Sequence, residues 1–156
     1  MTAETRTVRS QAQRKHDVLE RLEREEDIWV ASAALSGTPY LVPLSFLWDG
    51  EAVWLSTRAG NPTGRNLRAT GLVRMSLAHT RDVVLLDGRV TEVVAPQDMP
   101  EETGDAFAAK SRWDPRSARD TPSYMYFKVL LTGVQAWHEE HEIHERHLMR
   151  NGVWSV

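Results

Sequence analysis

The spacing of hydrophobic positions changes near residue 28 and divides the chain into a helical start and a β-rich remainder. Between residues 10 and 27, Val18 and Leu22 form a narrow apolar stripe among charged side chains. Ser10 has the residue type of an N-cap, so a helix is predicted to begin there. The polar residues 1–9 before it are predicted to form a flexible arm.

Six stretches of β-favouring residues follow, and most are separated by short turns rich in Gly, Pro or Asp-Gly. They span residues 28–35, 40–48, 52–57, 72–79, 82–94 and 124–137. The fifth is expected to bend at Asp87-Gly88, and Asn151-Gly152 predicts a small hairpin in the tail. A parallel α/β sheet needs a helix after nearly every strand, and this chain lacks them. The pattern therefore favours an antiparallel barrel.

Two more helices are predicted outside this barrel. One is short, over residues 65–69, at the end of a loop at 58–66 that contains several Gly and Pro residues. The other is capped by Asp98, with Phe107 on its apolar side, and leads into a loop at residues 112–123. The fold class is thus mostly β (α+β), an antiparallel barrel of six strands with peripheral helices. Residues 1–156 are expected to form one domain, with 138–156 as a C-terminal extension.

Composition excludes several classes of protein. Hydrophobic residues make up 41% and charged residues 26% of the chain, which is ordinary for a globular protein. Cysteine is absent, which excludes disulfides, thiolate metal sites and thiol nucleophiles. The net charge of -3 argues against a nucleic-acid partner, and no apolar run is long enough to span a bilayer. We therefore expect a cytoplasmic protein with neither a nucleic acid nor a membrane as partner.

The charged residues are not distributed evenly along the chain. From Arg58 to Arg81 the chain carries five arginines and no acidic residue. The segment starts in a Gly- and Pro-containing loop and runs into a helix start, a place that favours anions. One interpretation is an anion cradle at residues 60–66. The other is a solvated basic face paired with acidic segments such as 92–105, and composition alone leaves both open.

Four tail histidines recur every third residue, at His138, His141, His144 and His147. This spacing is compatible with a stripe on a helix. It does not match the patterns of zinc proteases or carboxylate-bridged di-iron proteins. We therefore predict a pH-sensitive surface helix and no metal site.

The six tryptophans are many for a chain of this size. Trp29 and Trp54 are predicted to be core residues, and Trp48 is predicted to pair with Trp54 across the Asp49-Gly50 turn. Trp113 and Trp137 adjoin turns or polar segments, which suits an aromatic wall or an interface. No nucleophile motif or carboxylate pair is specified, so any redox chemistry is expected to come from a cofactor.

Several segments, taken in order, resemble the pyridoxamine 5'-phosphate oxidase-like split β-barrel family. They are Gly37-Thr38-Pro39, the run from Pro43 to Gly50, Leu55-Ser56-Thr57, Arg65-Asn66-Leu67, Asp82 to Gly88, and Arg146 to Trp154. No single motif decides the resemblance; the order and spacing of all six make it specific. It extends over most of the chain from about residue 28.

The resemblance implies a homodimer with flavin sites at its interface and a small-molecule substrate. The implied cofactor is FMN, with a deazaflavin coenzyme of the F-420 type as the alternative. Leu44 and Ser45 would line the isoalloxazine ring, and Thr63 stands where the family often has a lysine. The residues implied to hold the phosphate are Ser56, Thr57, Asn61, Thr63, Arg65 and Asn66, with Arg58 or Arg65 neutralising its charge. Trp113, Trp137 and Arg146 would shape the substrate side, contributed by the second subunit.

Two functions follow from the resemblance. The leading one is a flavin- or deazaflavin-dependent oxidoreductase that transfers hydride to or from a small organic substrate. The alternative is a protein of the same fold that binds a flavin or another planar ligand without turnover. The substrate signature of true pyridoxamine phosphate oxidases is incomplete here, so that activity is not expected.

Overall fold

In a computed structural model that describes residues 6–117 and 123–156, the strands form one antiparallel sheet in the order β3-β2-β1-β4-β5-β6-β7-β8. Pairing of β3 with β6 closes the first six of these strands into a barrel, and β7 and β8 extend the sheet beyond β6. This confirms the predicted fold class. The strands are β1 Asp27–Ala33, β2 Pro39–Trp48, β3 Ala52–Arg58, β4 Leu72–Ser76, β5 Asp82–Val94, β6 Tyr124–His138, β7 His147–Arg150 and β8 Val153–Trp154.

Strand β2 changes partner along its length, which splits the barrel. Its first part, Pro39–Ser45, pairs with β1, whereas its pairs with β3 run from Phe46–Leu55 to Trp48–Val53. The two strands therefore part beyond the Phe46–Leu55 pair. On the other side of the barrel, β5 and β6 shift register at Asp87/Gly88, where the bend was predicted.

Three helices lie against the barrel, and two of them begin elsewhere than predicted. Helix α1 spans Gln11–Arg24 and is capped as expected, since the Ser10 hydroxyl accepts a hydrogen bond from the Gln13 N–H at 3.1 Å. Helix α2 spans Pro62–Thr70, so the predicted loop at 58–66 is wrong in its second half. Proline suits the first position of a helix because its missing N–H is unpaired there anyway.

Helix α3 spans Glu101–Ser111, and Pro100 rather than Asp98 precedes it. Asp98 lies in a separate 3-10 turn at Pro96–Asp98. The prediction fails because a residue before proline is restricted to extended backbone, and Met99 accordingly has φ -67° and ψ 127°. The predicted loop at 112–123 contains a 3-10 turn at Pro115–Ser117; its residues 118–122 lie outside the described part of the chain.

The barrel interior holds the main core, and a second cluster lies between the barrel and α3. The second cluster consists of Leu47, Trp54, Met99, Phe107 and Tyr126. Trp48 packs against the interior core instead and is paired with Val53, so it does not face Trp54 as predicted. The prediction that Trp29 is a core residue is also wrong, since 42% of it is exposed.

The C-terminal segment turns back on the start of the chain without forming the predicted helix. His138 ends β6, Glu140–Glu142 is a 3-10 turn, and His147 begins β7. Glu139 has φ 49° and Glu145 φ 55°, values that lie outside the range of a right-handed helix. The histidine stripe therefore does not exist.

A buried charge cluster, which we call the clasp, joins this segment to the chain start through Arg9, Arg14 and Glu142. The Glu142 carboxylate accepts hydrogen bonds from the Arg9 backbone N–H at 2.8 Å, from Arg9 Nη2 at 2.7 Å and from the His138 N–H at 2.8 Å. Arg14, also fully buried, donates to the carbonyls of Ala136, Glu142 and His144 at 3.1–3.2 Å. Arg9 lies in the segment predicted to be a flexible arm, and these bonds hold it in place; residues 1–5 lie outside the described part.

Within residues 6–117 and 123–156, no helix has the length and apolar character that crossing a membrane requires.

Candidate functional site

The predicted phosphate-binding residues lie together where β3 ends and α2 begins; we call residues 56–66 the cradle. Ser56 and Thr57 are both buried in β3. The Ser56 hydroxyl donates to the Met125 carbonyl at 3.0 Å, and the Thr57 hydroxyl accepts from the Asn61 side-chain amide at 3.4 Å. Asn61 therefore turns towards β3 and makes no side-chain hydrogen bond that caps α2.

Gly64 allows the start of α2 to lie directly on the end of β3. A Cβ at this position would collide with the Arg58 carbonyl oxygen and would lie 3.0 Å from the Ala59 carbonyl oxygen. No side chain larger than a hydrogen fits there without moving the backbone. The close approach places the positive end of the α2 dipole, with a first turn that no side chain caps, at the cradle.

Thr63 supplies the observation that bears most directly on ligand binding. The residue is 1% exposed, and its hydroxyl has no hydrogen-bond partner. Its neighbour Asn66, by contrast, donates from its buried amide to the Ser32 hydroxyl at 3.1 Å. A buried hydroxyl without a partner costs free energy that an acceptor on a ligand would recover.

Two arginines belong to the cradle. Arg65 is exposed and donates to the Gly60 carbonyl at 2.6 Å, which holds it over the loop. The Arg58 guanidinium stacks 5.1 Å from the ring centre of Tyr124, whose ring meets Trp113 edge-on at 5.0 Å. Trp113 therefore lies at the cradle end of the barrel, within the same chain.

Leu44 and Ser45 lie on β2 at the point where it parts from β3. Leu44 is half-buried against the interior core, and the Ser45 hydroxyl lies 3.4 Å from the Asp27 carboxylate. The next residue, Phe46, is paired with Leu55, the residue before Ser56. The structure thus brings the two predicted ring-lining residues to the edge of the cradle.

Trp137 and Arg146 lie at the opposite end of β6. Tyr124 begins this strand and Trp137 is its penultimate residue, a separation on the order of 40 Å at about 3.3 Å per residue. Arg146 stacks 5.9 Å from the Trp137 ring centre and donates to the Gln135 side-chain oxygen at 3.1 Å. Within one chain, neither residue meets the cradle.

Tyr126 is a buried neighbour of the cradle that the sequence did not single out. It is the Cα partner of Ser56, and its buried hydroxyl, like that of Thr63, has no hydrogen-bond partner. Burial raises the pKa of this hydroxyl to about 12, so it remains protonated near neutral pH. The only sequence signal was alternation along β6, which places Tyr124 and Tyr126 on one face.

Five of the cavities in residues 6–117 and 123–156 have volumes of about 330–550 Å³, and none of these five is lined by cradle residues. One of these cavities, of about 430 Å³, lies on the outer face of the sheet along Ala31, Ala33 and Leu72.

The family model for pyridoxamine 5'-phosphate oxidase matches residues 15–138. The chain belongs to this family. The matched range contains the whole closed barrel and every cradle residue. No curated protein shows significant sequence similarity to the chain.

Solved structures agree on the fold of this pyridoxamine 5'-phosphate oxidase family member. An F420 reductase is 21% identical, with a TM-score of 0.62 over 74% of this chain and 93% of that one. A putative pyridoxamine 5'-phosphate oxidase from Listeria innocua is 16% identical, with a TM-score of 0.61 over 78% and 96%. A FAD-binding protein from Mesorhizobium loti is 21% identical, with a TM-score of 0.57 over 76% and 90%. The likeness to these structures, each less than 25% identical, shows the fold.

Proposed function

We propose that the protein is a flavin- or deazaflavin-dependent oxidoreductase that transfers hydride to or from a small organic substrate. The observation that carries this proposal is the buried, unpartnered hydroxyl of Thr63 at the uncapped start of α2. A phosphate oxygen would accept hydrogen bonds both from this hydroxyl and from the N–H groups at the helix N-terminus. FMN is the expected cofactor, with the deazaflavin coenzyme as the alternative.

The residues of the cradle fit a phosphate in chemistry as well as in position. Arg58 and Arg65 supply positive charge at its rim, and Thr63 contributes a neutral donor. Thr57 and Asn61 already bond to each other and hold the loop in shape. The absence of a lysine at position 63 leaves neutralisation of the phosphate to the two arginines.

The bound cofactor would supply the hydride chemistry, and the chain's own residues would orient and shield the reacting groups. Leu44 and Ser45 present one apolar and one polar side chain at the parting of β2 and β3. Leu44, Ser45, Ser56 and Thr57 carry no group that titrates near neutral pH. Their expected roles are to bind, to orient and to exclude water.

We further propose that two copies of the chain complete the site. The outer face of β1, β2 and β4 exposes Trp29, Leu41 and Leu72, which are 42%, 60% and 54% exposed. The small residues Ala31 and Ala33 lie between them on β1. An apolar face of this kind is typical of a subunit interface. A second copy would bring its own Trp137 and Arg146 towards the cradle.

Titration of the purified protein with FMN and with the deazaflavin, followed by tryptophan fluorescence, tests the proposal. We expect micromolar binding of one of them. Arg65→Ala is expected to weaken it by about 1.5–3 kcal/mol, the value of a charged hydrogen bond. Arg68→Ala, which removes an exposed arginine from the other end of α2, serves as the matched control.

The outcomes separate the alternatives. Binding of neither cofactor would overturn the proposal, as would equal effects of the two arginine variants. Tight binding of a reduced cofactor that no acceptor reoxidises would identify a non-catalytic carrier instead. Gel filtration tests the dimer separately, and elution at monomer size would contradict it.

A further inference from the structure

Basic side chains surround a small cavity on the outer face of the sheet, between β6 and β7. Its volume is about 330 Å³, and its lining includes Gln135, His147, Arg150 and Asn151. Arg146 adjoins it, because this side chain donates to the Gln135 side-chain oxygen. We call this cavity with Arg146 the basic pocket. It lies at the opposite end of β6 from the cradle.

Positive charge in the basic pocket is not balanced by the chain. Asp87 is the one carboxylate in the lining, and both of its oxygens are occupied by Arg74, at 2.6 and 3.1 Å. The Arg150 side chain makes no hydrogen bond or ion pair with any residue in 6–117 or 123–156, whereas its backbone pairs with Val153. Arg146 bonds to neutral oxygens, those of Gln135 and the Ile143 carbonyl. The pocket therefore carries two arginines that no acidic side chain neutralises.

The two arginines also affect the pKa of His147. Its burial lowers the pKa of its imidazole, and Arg150 and Arg146 lower it further by repelling the charged form. The pocket thus has a positive potential at the position of this ring. An anion placed between the arginines would remove that repulsion.

We propose that the basic pocket binds a small oxyanion, the carboxylate or phosphate group of a ligand, between Arg146 and Arg150. Guanidinium groups bind either anion with two parallel hydrogen bonds, and the amides of Gln135 and Asn151 offer further donors. The volume suits one small anion or the acidic end of a larger molecule. The proposal rests on residues of this chain alone and does not depend on a flavin in the cradle.

The test follows the His147 imidazole by NMR during titration with inorganic phosphate and, separately, with succinate, at ionic strength held constant with sodium chloride. We expect a saturable shift of the ring resonances and a rise in the His147 pKa. Arg150→Gln is expected to weaken binding on the order of tenfold. Arg89→Gln is the matched control, since Arg89 is exposed on neighbouring β5 and does not line the pocket.

Each outcome of the titration either supports or overturns the proposal. Binding of phosphate alone or succinate alone supports the proposal and identifies the anion class, and binding of both supports an oxyanion site in general. Absence of any shift beyond that of chloride would overturn it. So would equal losses in the Arg150 and Arg89 variants. In the proposed dimer Arg146 would approach the cradle of the second copy, so the titration is repeated with Arg65→Ala. A His147 shift that is lost in this variant would place the anion in the cradle and overturn the proposal.

Discussion

The cradle and the clasp each contain buried polar side chains, at opposite ends of β6, and they differ in how many of these side chains have hydrogen-bond partners. In the clasp, Glu142 accepts hydrogen bonds from Arg9 and from the His138 N–H, and Arg14 donates to several backbone carbonyls. In the cradle, the Thr63 hydroxyl is buried without a partner.

The difference separates a structural cluster from a candidate binding site. A saturated network stabilises the fold and leaves no group for a ligand. An unsatisfied buried hydroxyl lowers stability in the free protein and gains a partner when a ligand binds. The comparison predicts that substitutions in the clasp change stability, whereas substitutions of unsatisfied groups in the cradle change binding.

The largest effect is expected for Glu142→Gln. The change removes the carboxylate charge beside the buried Arg14, while Arg9 keeps its pairs with Asp17 and Asp82. Breaking a buried pair costs about 3 kcal/mol of unfolding free energy. Chemical denaturation measures it. Glu139→Gln is the control, because Glu139 pairs with the exposed Arg6 and is expected to change the midpoint little. Equal midpoints for the two variants would show that the clasp is not structural.

Gly64→Ala is expected to have the next largest effect, about 2 kcal/mol of destabilisation, because the added methyl group meets the Arg58 carbonyl. The same variant should lose cofactor binding as α2 moves off β3. Gly60→Ala is the matched control, since a Cβ there meets nothing within 4 Å. Thermal unfolding of the two variants measures the difference. Similar melting temperatures would contradict the close approach.

Acid should weaken the clasp selectively. Hydrogen bonds from Arg9 lower the pKa of Glu142 from 4.5 to about 2, against the opposing effect of its burial. A carboxyl with a lowered folded-state pKa stabilises the fold above pH 4.5, and that stabilisation is lost as the pH falls towards 2. The stability difference between wild type and Glu142→Gln should therefore shrink by about 1 kcal/mol between pH 6 and 3.5. Denaturation across that range measures it, and a constant difference would refute the assignment.

The smallest stability effect is expected for Thr63→Val, which removes an unpartnered hydroxyl at nearly constant volume. Unfolding free energy should stay within about 1 kcal/mol of wild type. Cofactor affinity should fall on the order of tenfold, as measured by fluorescence titration. A variant that is clearly destabilised but binds normally would reverse the assigned roles of cradle and clasp.

Local features of the fold were predictable because they depend on near neighbours. Ser10 caps α1, and the Asp49 carboxylate accepts from the N–H groups of Glu51 and Ala52 at 2.8 Å, as its turn chemistry suggests. The sequence predicted less well which side chains are buried. Ile28 and Val30 take the interior positions of β1, so alternation leaves Trp29 on the outer face.

The sequence by itself determined the antiparallel barrel, its turns and the acid-free arginine segment from Arg58 to Arg81. These follow from periodicity, turn residues and composition, which are properties of short stretches. Only the tertiary structure decided that the Glu142 carboxylate has several hydrogen-bond partners and that the Thr63 hydroxyl has none. It also decided that Arg146 and Trp137 lie far from the cradle within one chain. Each of these features depends on contacts between residues distant in the chain. Whether a buried hydroxyl has a hydrogen-bond partner depends on the side chains that the barrel brings next to it.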